Sequence, residues 1–116
     1  MISIKCFDQV YFYRPCVDFR KGIYGLCSIV QDQMQLDLFA KYLFLFTNSK
    51  RNKVKALYWD QTGFAMWVKY LIDDKYKWPL KLDQEVIAVD VKKLEEFLLG
   101  LDPFQLPFKE KKFEKI

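Results

Sequence analysis

The sequence predicts an α+β domain, a small antiparallel sheet (a meander) with two packed helices. Short apolar runs Leu43–Thr47, Val54–Trp59 and Phe64–Leu71 follow one another, separated by the turn-forming segments Asn48–Asn52 and Asp60–Gly63, which is how consecutive antiparallel strands read. Within the third run Phe64, Met66, Val68 and Tyr70 alternate with Ala65, Trp67, Lys69 and Leu71, the period of two that sends neighbours to opposite faces of a sheet. Two further stretches space their apolar residues helically: Ile23, Leu26, Cys27, Val30 and Met34, and then Leu94, Phe97, Leu98 and Leu101.

Taken in order, Gln9–Tyr13 is a short β-branched and aromatic run closed by Arg14-Pro15, and reads as an edge or terminal strand. Asp18 is placed to cap the first helix, with Arg20 and Lys21 in its first turn. Gly22 and Gly25 each cost a helix ~1 kcal/mol relative to alanine, so they imply close approach of another backbone or of a ligand. After the meander, Tyr76–Pro79 is a candidate fourth strand beyond the Asp73-Asp74-Lys75 turn, and Glu85–Val89 one more. Asp90 then caps a helix from Val91 to about Leu99, which Gly100 ends. Residues 1–102 form one domain on this reading, and 103–116, ending KEKKFEKI, form a basic flexible tail.

With 116 residues, 52% of them hydrophobic and 18% aromatic, the chain can fill one core, which excludes wholesale disorder. Its net charge of +4 is mild, so the distribution of charge decides its meaning. Lys50, Arg51, Lys53 and Lys55 fall together around the first meander turn without an acid among them. Such a loop can lie along a phosphate backbone, with Asn48, Ser49 and Asn52 adding hydrogen bonds; the plain alternative is a solvated hairpin tip. Arg20 and Lys21 offer a second phosphate contact, against solvated charges or an Arg20–carboxylate pair that fixes the loop. Trp59, Trp67, Tyr70, Tyr76 and Trp78, interleaved with Lys69, Lys75 and Lys77, suit a core or a protein interface, and stack unpaired bases only where exposed.

Cys6, Cys16 and Cys27 lack any C-x-x-C spacing, and there is no histidine, so no zinc site, other metal site or cofactor is assigned. Reduced thiols fit a cytoplasmic protein. The amino terminus lacks the succession of a secretory leader, and no run approaches the ~18 apolar residues of a membrane span.

Two stretches carry a family pattern. Asp18-Phe19-Arg20-Lys21-Gly22-Ile23-Tyr24-Gly25-Leu26 resembles a D-M-R-K-G-I-x-G-L signature. Leu43–Trp78 resembles its partner segment: an L-F-x-F strand, a basic turn, a K-x-L-x-W-D strand, a glycine-containing turn, an aromatic strand and a terminal W-P. Together with the closing L-x-x-L-L-x-G-(L/I)-D segment, they resemble the TnpB-type accessory protein, the second reading frame, of the IS-sixty-six family of bacterial insertion sequences, over roughly residues 10 to 102. The resemblance implies a role in DNA transposition beside a separate transposase that carries the catalytic acids. The positions it carries over are Asp18, Arg20, Lys21, Gly22 and Gly25, and Lys55, Trp59, Asp60, Gly63, Trp78 and Pro79. The basic turn departs from the family's glycine-bearing, arginine-rich form, reading NSKRNK here.

The leading expectation is a non-catalytic accessory protein whose partners are DNA, at the element ends, and the cognate transposase, with Arg20, Lys21, Lys50, Arg51, Lys53 and Lys55 on phosphates. One alternative is a protein-interaction module without DNA contact, anchored by Trp59, Trp67 and Trp78. Another is a metal-dependent nuclease built on Asp18, Asp60 and Asp90 or Glu85, although Asp18 and Asp90 are explained by capping and Asp60 by a turn.

Overall fold

A computed structural model describes residues 4–104. After a 3-10 turn at Ile4–Cys6, the elements are β1 (Gln9–Tyr13), α1 (Ile23–Ser28), β2 (Tyr42–Thr47), β3 (Lys53–Asp60), β4 (Gly63–Tyr70), β5 (Val86–Val89) and α2 (Val91–Leu98). The strands make one sheet in the order β4-β3-β2-β1-β5. β2, β3 and β4 form the expected antiparallel meander, with Lys53 opposite Tyr70, Lys55 opposite Val68 and Leu57 opposite Met66.

The sheet as a whole is mixed, and β1 is not an edge. It lies between β2, to which it runs parallel, and β5, to which it runs antiparallel. The reason is readable in β1 itself: Val10 and Phe12 are buried on one face, Tyr13 is buried and Tyr11 half-buried on the other, and a strand apolar on both faces belongs inside a sheet. Pro15 falls just past the ladder, whose last bond is Arg14 N–H to the Glu85 carbonyl at 2.8 Å. Parallel pairing requires a crossover, and α1 supplies it.

α1 continues as a π-helical stretch, Ile29–Met34, and ends where Gln35 turns left-handed at φ 55°. Leu26, Cys27, Val30 and Met34 pack on Tyr13, Phe44, Phe46 and Leu57. The opposite face of the sheet is covered by α2 and by the segment before β5, which bury Phe97, Leu94, Tyr76 and Trp78 against Phe12, Leu43, Leu45 and Ala56. The Phe97 ring centroid lies 4.8 Å from both Phe12 and Tyr76, and 5.5 Å from Trp78.

Tyr76–Pro79 is not a strand. Its main chain makes one bond to the meander, Tyr76 N–H to the Arg51 carbonyl at 2.7 Å, and then bends on itself, Trp78 N–H to Tyr76 and Leu80 N–H to Trp78. Alternation there reflects burial without a ladder: Tyr76 and Trp78 go in while Lys77 stays out. α2 begins as expected, with the Asp90 carboxylate accepting Lys93 N–H at 2.8 Å, and ends at Gly100, whose φ of +89° favours glycine. The Phe104 ring centroid lies 5.5 Å from that of Phe12; the remainder of the expected tail lies outside the described residues.

Candidate nucleic-acid interface

The β2–β3 turn, Asn48–Asn52, is shaped by its own side chains. Asn48 Oδ1 accepts the N–H groups of Asn52 and Lys53, both at 3.2 Å, and Asn48 Nδ2 donates to Asn52 Oδ1 at 2.8 Å. Arg51 takes the left-handed conformation, φ 57°, where a glycine would sit without strain. Both amide oxygens and one N–H of Asn48 are thus used to shape the turn. What the turn presents is charge, led by the exposed Lys50.

The segment before α1 departs from expectation. Asp18 does not cap the helix: the N-cap is Gly22, with no side-chain bond. The Asp18 carboxylate instead accepts Arg20 Nε at 3.1 and 3.0 Å and Arg20 Nη2 at 2.6 Å, as well as the Arg20 main-chain N–H at 2.9 Å. A carboxylate two residues from an arginine closes this tight local ring more readily than it reaches a helix starting five residues on. The hydrogen bonds from Arg20 pull the Asp18 pKa down to about 2. Arg20 and Lys21 thus precede the helix rather than occupy its first turn. Gly22 and Gly25 meet no foreign backbone: a Cβ on Gly22 would touch nothing, and one on Gly25 would come 3.1 Å from the Lys21 Cβ.

Lys55 joins these two segments. Its stem is buried in β3, and its ammonium donates to the main-chain carbonyls of Phe19 at 2.9 Å and Lys21 at 3.1 Å while lying 4.6 Å from the Phe19 ring centroid. Burial lowers its pKa, an effect that the nearby Asp18 charge opposes. Lys55 holds the loop in place, and two of its three donors are already used.

Between that loop and the strands lies an open cleft of about 990 Å³, lined by Asp18, Phe19, Arg20, Lys50, Lys53, Lys55, Met66, Val68 and Tyr70. Four of the six cations expected on phosphates meet here; Lys21 and Arg51 lie outside the lining. The apolar cluster under α1 extends to Leu57 and Met66, and beyond it Val68 is 38% and Tyr70 58% exposed. The floor was readable only through register: the β3–β4 turn brings Lys53 opposite Tyr70, with the Lys53 ammonium 4.8 Å from the ring centroid.

The other motif residues lie elsewhere. Trp59 sits farther along the same face, half-buried, 5.0 Å from the ring centroids of both Phe39 and Phe64; Asp60 and Gly63 close the turn beside it. Trp78 and Pro79 are buried on the opposite side, where the indole N–H donates to the Arg14 carbonyl at 2.8 Å, so Trp78 is a core residue and not a surface anchor. Trp67 is half-buried against the same core. Lys69 is also committed, its ammonium donating to the Leu98 carbonyl at the end of α2, at 3.1 Å. Among the described residues, no three histidine, cysteine, aspartate or glutamate side chains gather where they could hold a metal ion. No helix among them is long and apolar enough to cross a membrane.

Comparison with known proteins adds three findings. The family described as IS66 Orf2-like protein matches residues 8–107. An uncharacterized protein of Sinorhizobium fredii, y4jC, is 30% identical over 63 residues, 54% of this chain and 54% of that protein, so the chain spans about half the length of that relative. No solved structure matches the chain.

Proposed function

The chain belongs to the IS66 Orf2-like family of insertion-sequence accessory proteins, and from that membership we propose that it serves transposition by binding DNA phosphates at the cleft between the Asp18–Arg20 loop and β3–β4. The observation that carries the reading is convergence: Arg20, Lys50 and Lys53, drawn from two segments remote in the chain, line one concavity. Arg20, Lys50 and Lys53 are the direct contacts, Lys21 and Arg51 flank them, and Lys55 secures the wall. Phosphate contacts of this kind supply affinity and register but no sequence information.

The role is that of a non-catalytic component, with the cognate transposase as second partner. The surface that suits it is the Phe39–Trp59–Phe64 cluster, where Phe39 is 58% exposed and aromatic side chains are concentrated as interfaces require. A module that binds only protein is the competing reading.

The test is binding of the full chain to labelled duplexes, one bearing the element's terminal repeat and one scrambled, across a salt series. Three to five phosphate contacts give log affinity against log salt a slope of about −3 to −4.5. Loss of binding in Lys50→Glu/Lys53→Glu supports the cleft as the site. A salt-independent affinity, or none at low salt, leaves the protein-only reading.

A further inference from the structure

We propose that the cleft takes an unpaired nucleotide of a DNA strand, its base against Tyr70, Val68 and Met66 and its phosphates between Arg20, Lys50 and Lys53. This rests on the DNA reading above and names the form of DNA the site is built for.

Shape is the first argument. Duplex DNA offers a convex surface of phosphates and sugars, with the π-faces of its bases stacked out of reach. A concave site with cations on its walls suits a strand that can send a base inward. The floor is the second. Met66, Val68 and Tyr70 alternate along β4 on one face, and Val68 and Tyr70 remain exposed. Apolar surface left bare beside a ring is of no use to phosphate binding alone. It is the surface on which a base stacks.

Charge is the third. The one acid in the lining, Asp18, is already engaged by Arg20, so it repels a phosphate less than a free carboxylate would. That pairing uses Arg20 Nε and one terminal nitrogen and leaves the other without a partner among the described residues, on a side chain that is 91% exposed. The Lys53 ammonium, 4.8 Å from the Tyr70 ring centroid, brings a cation beside the ring on which a base would stack.

The experiment compares a mixed-sequence single strand, the blunt duplex of the same sequence, and that duplex with a short internal bulge, by fluorescence anisotropy with the full chain. The single strand and the bulge are expected to bind more tightly than the blunt duplex. Tyr70→Ala should weaken them roughly 5- to 150-fold, the range for loss of one stacking platform, and should weaken blunt-duplex binding by much less. Tyr70→Phe should retain the preference. Tyr70→Lys adds a cation and removes the ring, and should strengthen duplex binding while abolishing the preference, a result that does not depend on how Tyr70→Ala folds.

Equal binding of all three DNAs, or a preference that survives Tyr70→Lys, overturns the inference and leaves the phosphate reading standing. Free mononucleotides binding as tightly as the strand would overturn it in favour of a small-ligand site. Failure of every DNA to bind at low salt removes the phosphate reading first, and this one with it.

Discussion

The ammonium of Lys55 donates to the main-chain carbonyl of Phe19 at 2.9 Å, so the second of the two family motifs holds the first. The strand residue and the loop residue are 36 positions apart, and the bond is what makes one wall of the cleft a fixed surface. A lysine that reads as one more surface cation in a basic run is here a strut, buried along its stem and satisfied at its tip.

Lys55→Met keeps the stem and deletes the donor. Hydrogen bonds to charged groups contribute ~1.5–3 kcal/mol each, and relief of the lysine's own desolvation offsets part of the two, so a loss of about 2–4 kcal/mol in unfolding free energy is expected. Amide exchange should quicken at residues 18–21 and stay as in the parent chain in β1. Unchanged stability would mean that the loop is held by other contacts.

The same variant separates strut from contact in DNA binding. Removing one cation from a phosphate should flatten the plot of log affinity against log salt by about 0.9 on duplex DNA. Lys53→Met and Lys50→Met are expected to do so, whereas Lys55→Met should weaken binding with the slope intact. Equal slope changes for Lys53 and Lys55 would place the Lys55 ammonium on a phosphate after all.

Asp18 makes a pH prediction. Hydrogen bonds from Arg20 lower its folded-state pKa from 3.8 to about 2. A carboxyl depressed on folding adds stability that is fully present above its unfolded value, near pH ~4, and is lost as the pH falls through about 2. The stability difference between the parent chain and Asp18→Asn should therefore be constant above that upper limit and close toward the lower one. Both carboxylate and guanidinium face solvent, so added salt should shrink the difference. Carboxyl NMR titration with a midpoint near 4 would show the pair to be open in solution.

What could be read in advance was what is local. The meander stood out because each turn is bounded by apolar runs, and the second helix because Asp90 and Gly100 mark its ends within ten residues. β1 misled because its parallel partner lies beyond a helix, and the closing Arg14-Pro15 suggests an edge; only its two apolar faces hint at an interior place. Tyr76–Pro79 alternates as a strand does, yet pairing depends on a neighbour with free main-chain groups, and only Arg51 offered one. The cations of the cleft were visible in the sequence. Their grouping was not, since it depends on β3–β4 register and on how far α1 extends over the sheet.

Arg51 shows how charge and shape compete within one turn. It holds φ at 57° while donating its N–H to the Asn48 carbonyl at 3.0 Å and accepting from Tyr76 at 2.7 Å, so this conformation ties the turn to the buried segment below it. A side chain in that region costs ~1–2 kcal/mol, which glycine avoids, although glycine forfeits ~0.5–1 kcal/mol by freeing the unfolded chain. Arg51→Gly should accordingly leave stability within about 1 kcal/mol of the parent chain. Arg51→Val, β-branched where the backbone is left-handed, should lose roughly 1–2 kcal/mol. Thermal unfolding of the pair checks this, and comparable losses in both would show that the arginine side chain, not the backbone angle, stabilises the turn.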